Sequence, residues 1–341
     1  MDPIRTGIIG CGRISSSHAA AARQLGGRFE LTALADPDEA RRRDLARRHE
    51  VVNTYATARD LCSRAEVDAV IICSPNEFHA DQAVLALGAG KHVLVEKPMA
   101  DNVGDAQAMA DAARRAGRVL ALGHTFRHCP AIRYVQDHLR DFGRLRAVEV
   151  SMCVKWDGPQ TDWWAGRSQE EGLILSLFAP HALDFVQLVM RDDFLRVHVE
   201  AARHQDGWRG EDEAMILLSY PGRRMASVHV SYNQDYVVDR KSLHFEDAFV
   251  LIEDNERVWV NDELVVSPAQ APEGSARRMG ARDLTPYFVD QLKEFANAVH
   301  GRPHRCILAD EGVRFTRLLD EVLRAAVATS RAAVVDRKSV D

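Results

Sequence analysis

No stretch of this sequence is apolar for long enough to span a bilayer, so no membrane helix is expected. Cysteine is sparse: the six residues at 11, 62, 73, 129, 153 and 306 include no Cys-x-x-Cys pair and no His/Cys cluster at zinc spacing. That argues against a disulfide framework and against a metal site. Single cysteines in apolar settings read instead as buried thiols in a reducing compartment. An excess of basic charge is missing as well, with 44 Lys and Arg against 50 Asp and Glu and a net charge of −6. A nucleic-acid-binding face needs a dense basic stripe, so no nucleic-acid partner is expected. The one basic cluster, Arg41 to Arg43 with Arg47 and Arg48, falls in a helical stretch and reads as a solvated face. Met1 to Arg5 leads straight into an apolar strand with no signal-like segment, which gives a cytoplasmic expectation. Internal repeats and low-complexity tracts are lacking too.

What is present is an alternation of short apolar runs with helical periods. Ile4–Ile9 and Phe29–Ala35 read as strands, each followed by a helix, at 14–26 and 38–49. Val67–Cys73 is almost continuously apolar, as a strand buried on both faces must be. Helices at 77–89 and 101–116 then alternate with strands at His92–Val95 and Val119–Leu122. This rhythm predicts a mostly parallel sheet with helical crossovers. It changes near residue 143: 146–154 alternates with period two, and strands at 213–220 and 225–232 flank the turn Pro221-Gly222. Further short strands to about 266, a helix at 180–190 and two closing helices at 284–300 and 309–330 complete the pattern, with 267–283 as a loop. The expected fold is an α/β Rossmann domain over 1–123 and an α+β domain over 124–341 with a largely antiparallel open sheet. The closing helices are free to pack back on the first domain.

The first strand ends in Gly10-Cys11-Gly12-Arg13-Ile14-Ser15. Gly10 and Gly12 match the first two glycines of a dinucleotide-binding fingerprint, and Ser15 stands at the third. The first permits a tight turn, and the second lets the backbone approach a pyrophosphate. The helix that follows offers free N–H groups to the phosphates. Glycine spacing alone is a weak signal; the strand before, the helix after and Asp36 at the end of the second strand strengthen it. Asp36 is placed to accept hydrogen bonds from the adenosine ribose and to repel a 2′-phosphate, which favours NAD, with NADP left open by the nearby arginines. The alternative is a turn former in Asp36-Pro37-Asp38 that caps the next helix.

Residues 73–100, CSPNEFHADQAVLALGAGKHVLVEKPMA, resemble the signature of the glucose–fructose oxidoreductase/inositol dehydrogenase (Gfo/Idh/MocA) family. Ser74-Pro75-Asn76, His79, Gly90-Lys91-His92-Val93 and Glu96-Lys97-Pro98 carry the likeness, which extends over essentially the whole chain. It implies that Lys97 lies beside the nicotinamide as the catalytic acid/base, that Glu96 lines the cofactor cleft, and that Pro75 and Asn76 run along the cofactor with Ser74. His79 either lines that cleft or packs the helix beginning there. The chemistry is intelligible in itself, because a hydride leaving a carbinol carbon requires a proton to leave its oxygen. A partly desolvated lysine can take that proton.

One part of the pattern is broken. The family's dehydrogenases carry Asp followed four residues later by His; here His181 and Asp184 match His-x-x-Asp, but the earlier position is Leu177. The resemblance makes His181 and Asp184 catalytic candidates, against a His satisfied in the core. Trp163, Trp164 and Arg127 are candidate substrate contacts; the alternatives are core anchors for the tryptophans and a neighbouring acid for Arg127. The expected function is NAD(P)-dependent hydride transfer at a secondary alcohol or ketone of a sugar, polyol or related cyclic compound. The alternatives are a redox-neutral NAD-using lyase or glycosidase and a non-catalytic NAD-binding regulator, which Leu177 favours. The resemblance also implies a homodimer or homotetramer formed through the second domain's sheet.

Overall fold

The computed structural model describes residues 2–158, 165–167, 172–267 and 283–337. The chain forms two compact units, one of Met1–His128 with Asp283–Arg317 and one of Cys129–Arg282 with Leu318–Asp341. The first unit therefore takes in five residues beyond the expected 1–123, and a later segment returns to it.

The first unit is built on a seven-stranded sheet. Its strands are β1 (Ile4–Ile9), β2 (Phe29–Ala35), β3 (Asn53–Tyr55), β4 (Ala69–Ile72), β5 (His92–Glu96), β6 (Leu120–Gly123) and β15 (Ile307–Leu308). Their order is β15-β6-β5-β4-β1-β2-β3, and every pairing is parallel except β15 with β6. All four residues of β4 are buried, as its unbroken apolar run requires. The crossovers are α1 (Arg13–Gln24), α2 (Glu39–His49), α3 (Ala58–Arg64), α4 (His79–Gly88) and α5 (Val103–Ala116). Asp38 caps α2 by accepting from Ala40 N and Arg41 N. Asn102 caps α5 by accepting from Asp105 N at 2.9 Å.

A helix distant in sequence, Thr285–Val299, completes this unit. Its Phe288, Leu292, Phe295 and Ala296 join the core cluster of Ile8, Ala19, Ala22, Leu34 and Ile71. Burial of each large side chain there contributes about 1.5–3 kcal/mol.

In the second unit, an eight-stranded sheet runs β14-β13-β12-β11-β7-β10-β9-β8. These strands are β7 (Leu145–Lys155), β8 (Arg196–Ala202), β9 (Glu213–Tyr220), β10 (Arg224–Ser231), β11 (Asn233–Phe245), β12 (Phe249–Glu253), β13 (Arg257–Val260) and β14 (Glu263–Val266). All pairings are antiparallel except β10 with β7. In β9, Ala214, Ile216, Leu218 and Tyr220 are buried while Met215 and Leu217 face outward. The helices include α6 (Pro130–His138), the short α7 (Ile174–Leu177) and α8 (Ala179–Met190). The helix at Thr285–Val299 is α9, and the last, α10, spans Ala309–Arg337. No helix among the described residues is long and apolar enough to cross a membrane. Most of the expected 267–283 loop lies outside the described residues.

Candidate active site

The loop between β1 and α1 is shaped by Gly10, whose φ of +90° is unfavourable for any residue with a side chain. A Cβ there would lie 2.5 Å from Ser74 N, so the β1 and β4 ends can meet only over glycine. Gly12 stands at the N-cap of α1, and a Cβ built on it meets nothing within 4 Å, which leaves its outer side open. No side chain caps α1, and its first turn holds no acidic residue. Its leading amides and positive end thus suit a pyrophosphate, with no acidic residue in the first turn to compete. Arg13 is exposed at this end, Ile14 packs against the core, and buried Ser15 donates its hydroxyl to Gly12 O at 2.5 Å.

Asp36 ends β2 and is buried. One carboxylate oxygen accepts from Cys11 N at 2.6 Å and the other from Asp38 N at 2.8 Å. The carboxylate thereby locks the glycine loop to the β2 turn, and each oxygen keeps a lone pair for a ribose hydroxyl. Capping of α2 belongs to Asp38, so the two sequence readings of Asp36 separate onto two residues. The arginines of α2 are engaged locally: Arg42 with Asp36 O, Arg41 with Asp38, Arg43 with Glu39, and Arg47 and Arg48 with Asp44.

Beyond β4, Ser74 donates to Gln82 at 2.6 Å, Pro75 is exposed, and Asn76 is buried and donates to Asp101. His79, at the start of α4, is buried with Nδ1 2.8 Å from Pro98 O and Nε2 2.9 Å from Ser74 O. Burial holds its pKa below the usual histidine value against those two carbonyls. Both neighbours are acceptors, so the neutral ring donates to one of them at a time, and it lies between the segment after β4 and the segment after β5.

Glu96 closes β5 and is buried. Its Oε1 lies 2.7 Å from His18 Nε2, and its Oε2 accepts from Lys97 N at 3.3 Å. Burial pushes this carboxyl up, but the hydrogen bond and charge of His18, with Lys97, outweigh it and hold the pKa below the ordinary value. Lys97 follows at the strand's carboxyl end, ahead of a cis peptide bond to Pro98. The lysine keeps partial contact with solvent, yet surrounding protein desolvates it and lowers its pKa from 10.5 to about 8. The Glu96 charge resists that fall and the Arg13 charge assists it.

In the second unit, His181 lies in the first turn of α8, partly exposed, with its ring edge-on to Phe178 at 6.4 Å. Asp184 is buried one turn further on, and Leu177 is buried at the end of α7. The Glu211 carboxylate accepts from Leu173 N at 2.7 Å and Leu175 N at 3.1 Å, so it holds the start of α7. Burial pushes that carboxyl up to about 7. Phe178 also adjoins Tyr232 at 5.5 Å and Trp156 at 6.5 Å, an aromatic group beside His181. Arg127, in the first unit, is buried and pairs with Glu311 at 2.7 Å. Trp163 and Trp164 lie outside the described residues.

The structure thus gathers Gly10, Gly12, Asp36, Ser74, Asn76, His79, Glu96 and Lys97 around the carboxyl ends of β1, β2, β4 and β5, where open parallel sheets take ligands. Sequence reasoning overlooked His18, Gly123 and Glu211. A Cβ on Gly123 would lie 3.1 Å from Glu96 Oε1, so that glycine makes room for the carboxylate. A signal for His18 was available, since it stands one turn beyond Ser15 on a helix already assigned to the phosphates.

Comparison with known proteins identifies the family. Residues 4–124 match a family model described as oxidoreductase family, NAD-binding Rossmann fold, and residues 134–248 match the GFO/IDH/MocA C-terminal domain. The 1,5-anhydro-D-fructose reductase of Ensifer adhaerens is 25% identical over 97% of this chain and 98% of its own. A scyllo-inositol 2-dehydrogenase (NADP(+)) of Bacillus subtilis is 33% identical over 44% of this chain and 45% of its own. Levoglucosan dehydrogenase in complex with NADH shares the fold at a TM-score of 0.84 and 18% identity, covering 96% of this chain and 98% of that one.

Proposed function

The chain belongs to the Gfo/Idh/MocA family of NAD-binding oxidoreductases, and from that membership we propose hydride transfer at a secondary alcohol or ketone of a sugar, polyol or related cyclic substrate. The observation that carries this reading is Lys97: an amine at the carboxyl end of β5, lowered to about 8, in the unit that bears the glycine loop. A group poised near neutrality can take the hydroxyl proton in oxidation and return it in reduction. The bound dinucleotide supplies the hydride acceptor or donor. Gly10, Gly12 and the first amides of α1 hold its phosphates, and Asp36 accepts from its ribose. The Asp36 carboxylate, which would repel a 2′-phosphate, supports NAD over NADP.

The family resemblance supports His181 as an assisting group, with Asp184 three residues on along the same helix face. Leu177 supplies no carboxylate, so the proton transfer rests on Lys97. The names of the relatives, a reductase of anhydrofructose and a dehydrogenase of scyllo-inositol, support a cyclic polyhydroxy substrate. Met215, Leu217 and Met225 lie exposed on one face of paired β9 and β10, which supports an oligomer built on that face.

The test is a screen of polyols, sugars and keto-sugars, each with NAD(H) and NADP(H), followed by the absorbance of the reduced nicotinamide. Lys97→Ala is expected to lower turnover by roughly 10²- to 10⁴-fold while keeping NAD affinity. A protein that binds NAD tightly but turns over none of these compounds would overturn the reading in favour of a regulator. Product formation with no net change in NADH would point to the redox-neutral alternative.

A further inference from the structure

The pairing of His18 with Glu96 is the feature of the first unit that the functional reading leaves unused. His18 is fully buried in α1, and its Nε2 lies 2.7 Å from Glu96 Oε1. Its other nitrogen, Nδ1, is buried without a hydrogen-bond partner. The remaining hold on the ring is an edge-on contact with Phe288 of α9, at 4.8 Å between centroids. A carboxylate can only accept, so the proton of this contact sits on Nε2 and the pair fixes how the ring is turned. Burying a histidine and a glutamate together is costly unless each satisfies the other. This one is accommodated with care, since bare Gly123 clears the path of the carboxylate.

We propose that His18 is a positioning residue for the hydride-transfer reaction: through its hydrogen bond it fixes the Glu96 carboxylate as an anion beside Lys97. The helix that receives the phosphates thereby also governs the charge state of the acid/base amine. The idea rests on Lys97 being that amine. The groups facing the pair are few. Arg13 from α1 opposes protonation of Lys97, and Glu96 favours it. Cys73 at the end of β4 is held neutral by burial, then by Glu96. His79 from α4 is kept below the usual histidine value by burial. Glu96 is thus the one anion acting on Lys97 among the causes that set its pKa. Without His18, only the charge and the backbone amide of Lys97 remain to oppose the desolvation of Glu96. Glu96 then takes up a proton more readily, and Lys97 loses the charge that sustains its own.

The experiment reads the amine directly. In the full-length protein without cofactor, the pH dependence of Lys97 acylation by acetic anhydride, followed by mass spectrometry, gives the apparent pKa of that one amine. His18→Phe keeps the ring volume and removes the donor. It is expected to lower the Lys97 titration by about one pH unit. His18→Gln, which retains an N–H donor, is expected to restore most of it. Glu96→Gln is expected to shift Lys97 in the same direction, and adding His18→Phe to it is expected to give no further shift, because the effect runs through Glu96. An unchanged titration in folded His18→Phe would overturn the proposal. So would equal shifts in the Phe and Gln variants, or additive shifts in the double variant. Should His18→Phe fail to fold, Glu96→Gln and His18→Gln carry the comparison alone: no shift in the first, or a full shift in the second, rejects it. The readout needs no substrate, so failure of the catalytic reading is seen separately, as undiminished turnover in Lys97→Ala.

Discussion

At Lys97 two influences oppose each other, desolvation favouring the neutral amine and the Glu96 charge favouring the ammonium. Desolvation wins, and the amine titrates at about 8. Only the neutral amine accepts a proton, so alcohol oxidation is expected to climb with pH to about 8 and then level off. Carbonyl reduction needs the ammonium and is expected to fall through the same range. The pH dependence of kcat/KM in each direction checks both. Removal of the amine in Lys97→Met is expected to lower kcat by roughly 10²- to 10⁴-fold, the usual worth of a positioned acid/base. Gly10 gives a second prediction. Its positive φ and the 2.5 Å approach to Ser74 N leave no place for a methyl group. Gly10→Ala is expected to cost about 1–3 kcal/mol from backbone strain alone, seen in urea unfolding, and to weaken NAD binding in parallel.

The elements that bear these residues depend on partners distant in sequence. Helix α9 joins the first unit through Phe288, Leu292 and Phe295, all buried in the cluster that also holds Ala19 and Ala22 of α1. Phe295→Ala is expected to destabilise the protein by about 3–5 kcal/mol, measured by denaturant unfolding, through the transfer loss and the cavity it leaves. At the start of α7, Glu211 behaves in the opposite sense to a surface carboxylate. Its folded pKa, about 7, stands above the ordinary 4.5, so the native state holds its proton more tightly than the unfolded chain does. Its contribution is full below pH 4.5 or so and is lost as pH rises through about 7. Glu211→Gln keeps an acceptor for the Leu173 and Leu175 amides and cannot ionise. That variant is expected to flatten the decline in stability between these pH values, as read by unfolding at a series of pH.

For the whole molecule, the cofactor is expected to act as a stabilising ligand. At a hundredfold excess over Kd, NAD adds about 2.7 kcal/mol to a protein that binds it only when folded. A calorimetric scan is expected to show a clear rise in Tm with NAD(H) and a smaller one with NADP(H), given the Asp36 carboxylate. Light scattering is expected to report a dimer or tetramer, and Leu217→Arg on the exposed face of β9 to lower that mass without changing the fold.

Much of this molecule could be read from residue order, because its signals are local. A buried parallel strand must be apolar along its whole length, and Ala69–Ile72 is; a turn that brings backbone close to backbone must use glycine, and Gly10 does. The Glu96-Lys97-Pro98 segment was legible by likeness, and the two-sheet plan by the change from strand–helix alternation to period-two strands. Other features depend on which distant residues come together. Nothing near Arg127 announces Glu311, and nothing near His18 announces Glu96 or Phe288. Strand β15 has only two residues, too few to show a period, and exists through its pairing with β6. The parallel pairing of β10 with β7 likewise leaves no mark in either strand's alternation, which reports the buried face but not the neighbour's direction. Spacing along the chain specifies backbone geometry and the side that faces inward. The identity of the group on the other side of a contact belongs to the folded state, where residues far apart in order become neighbours.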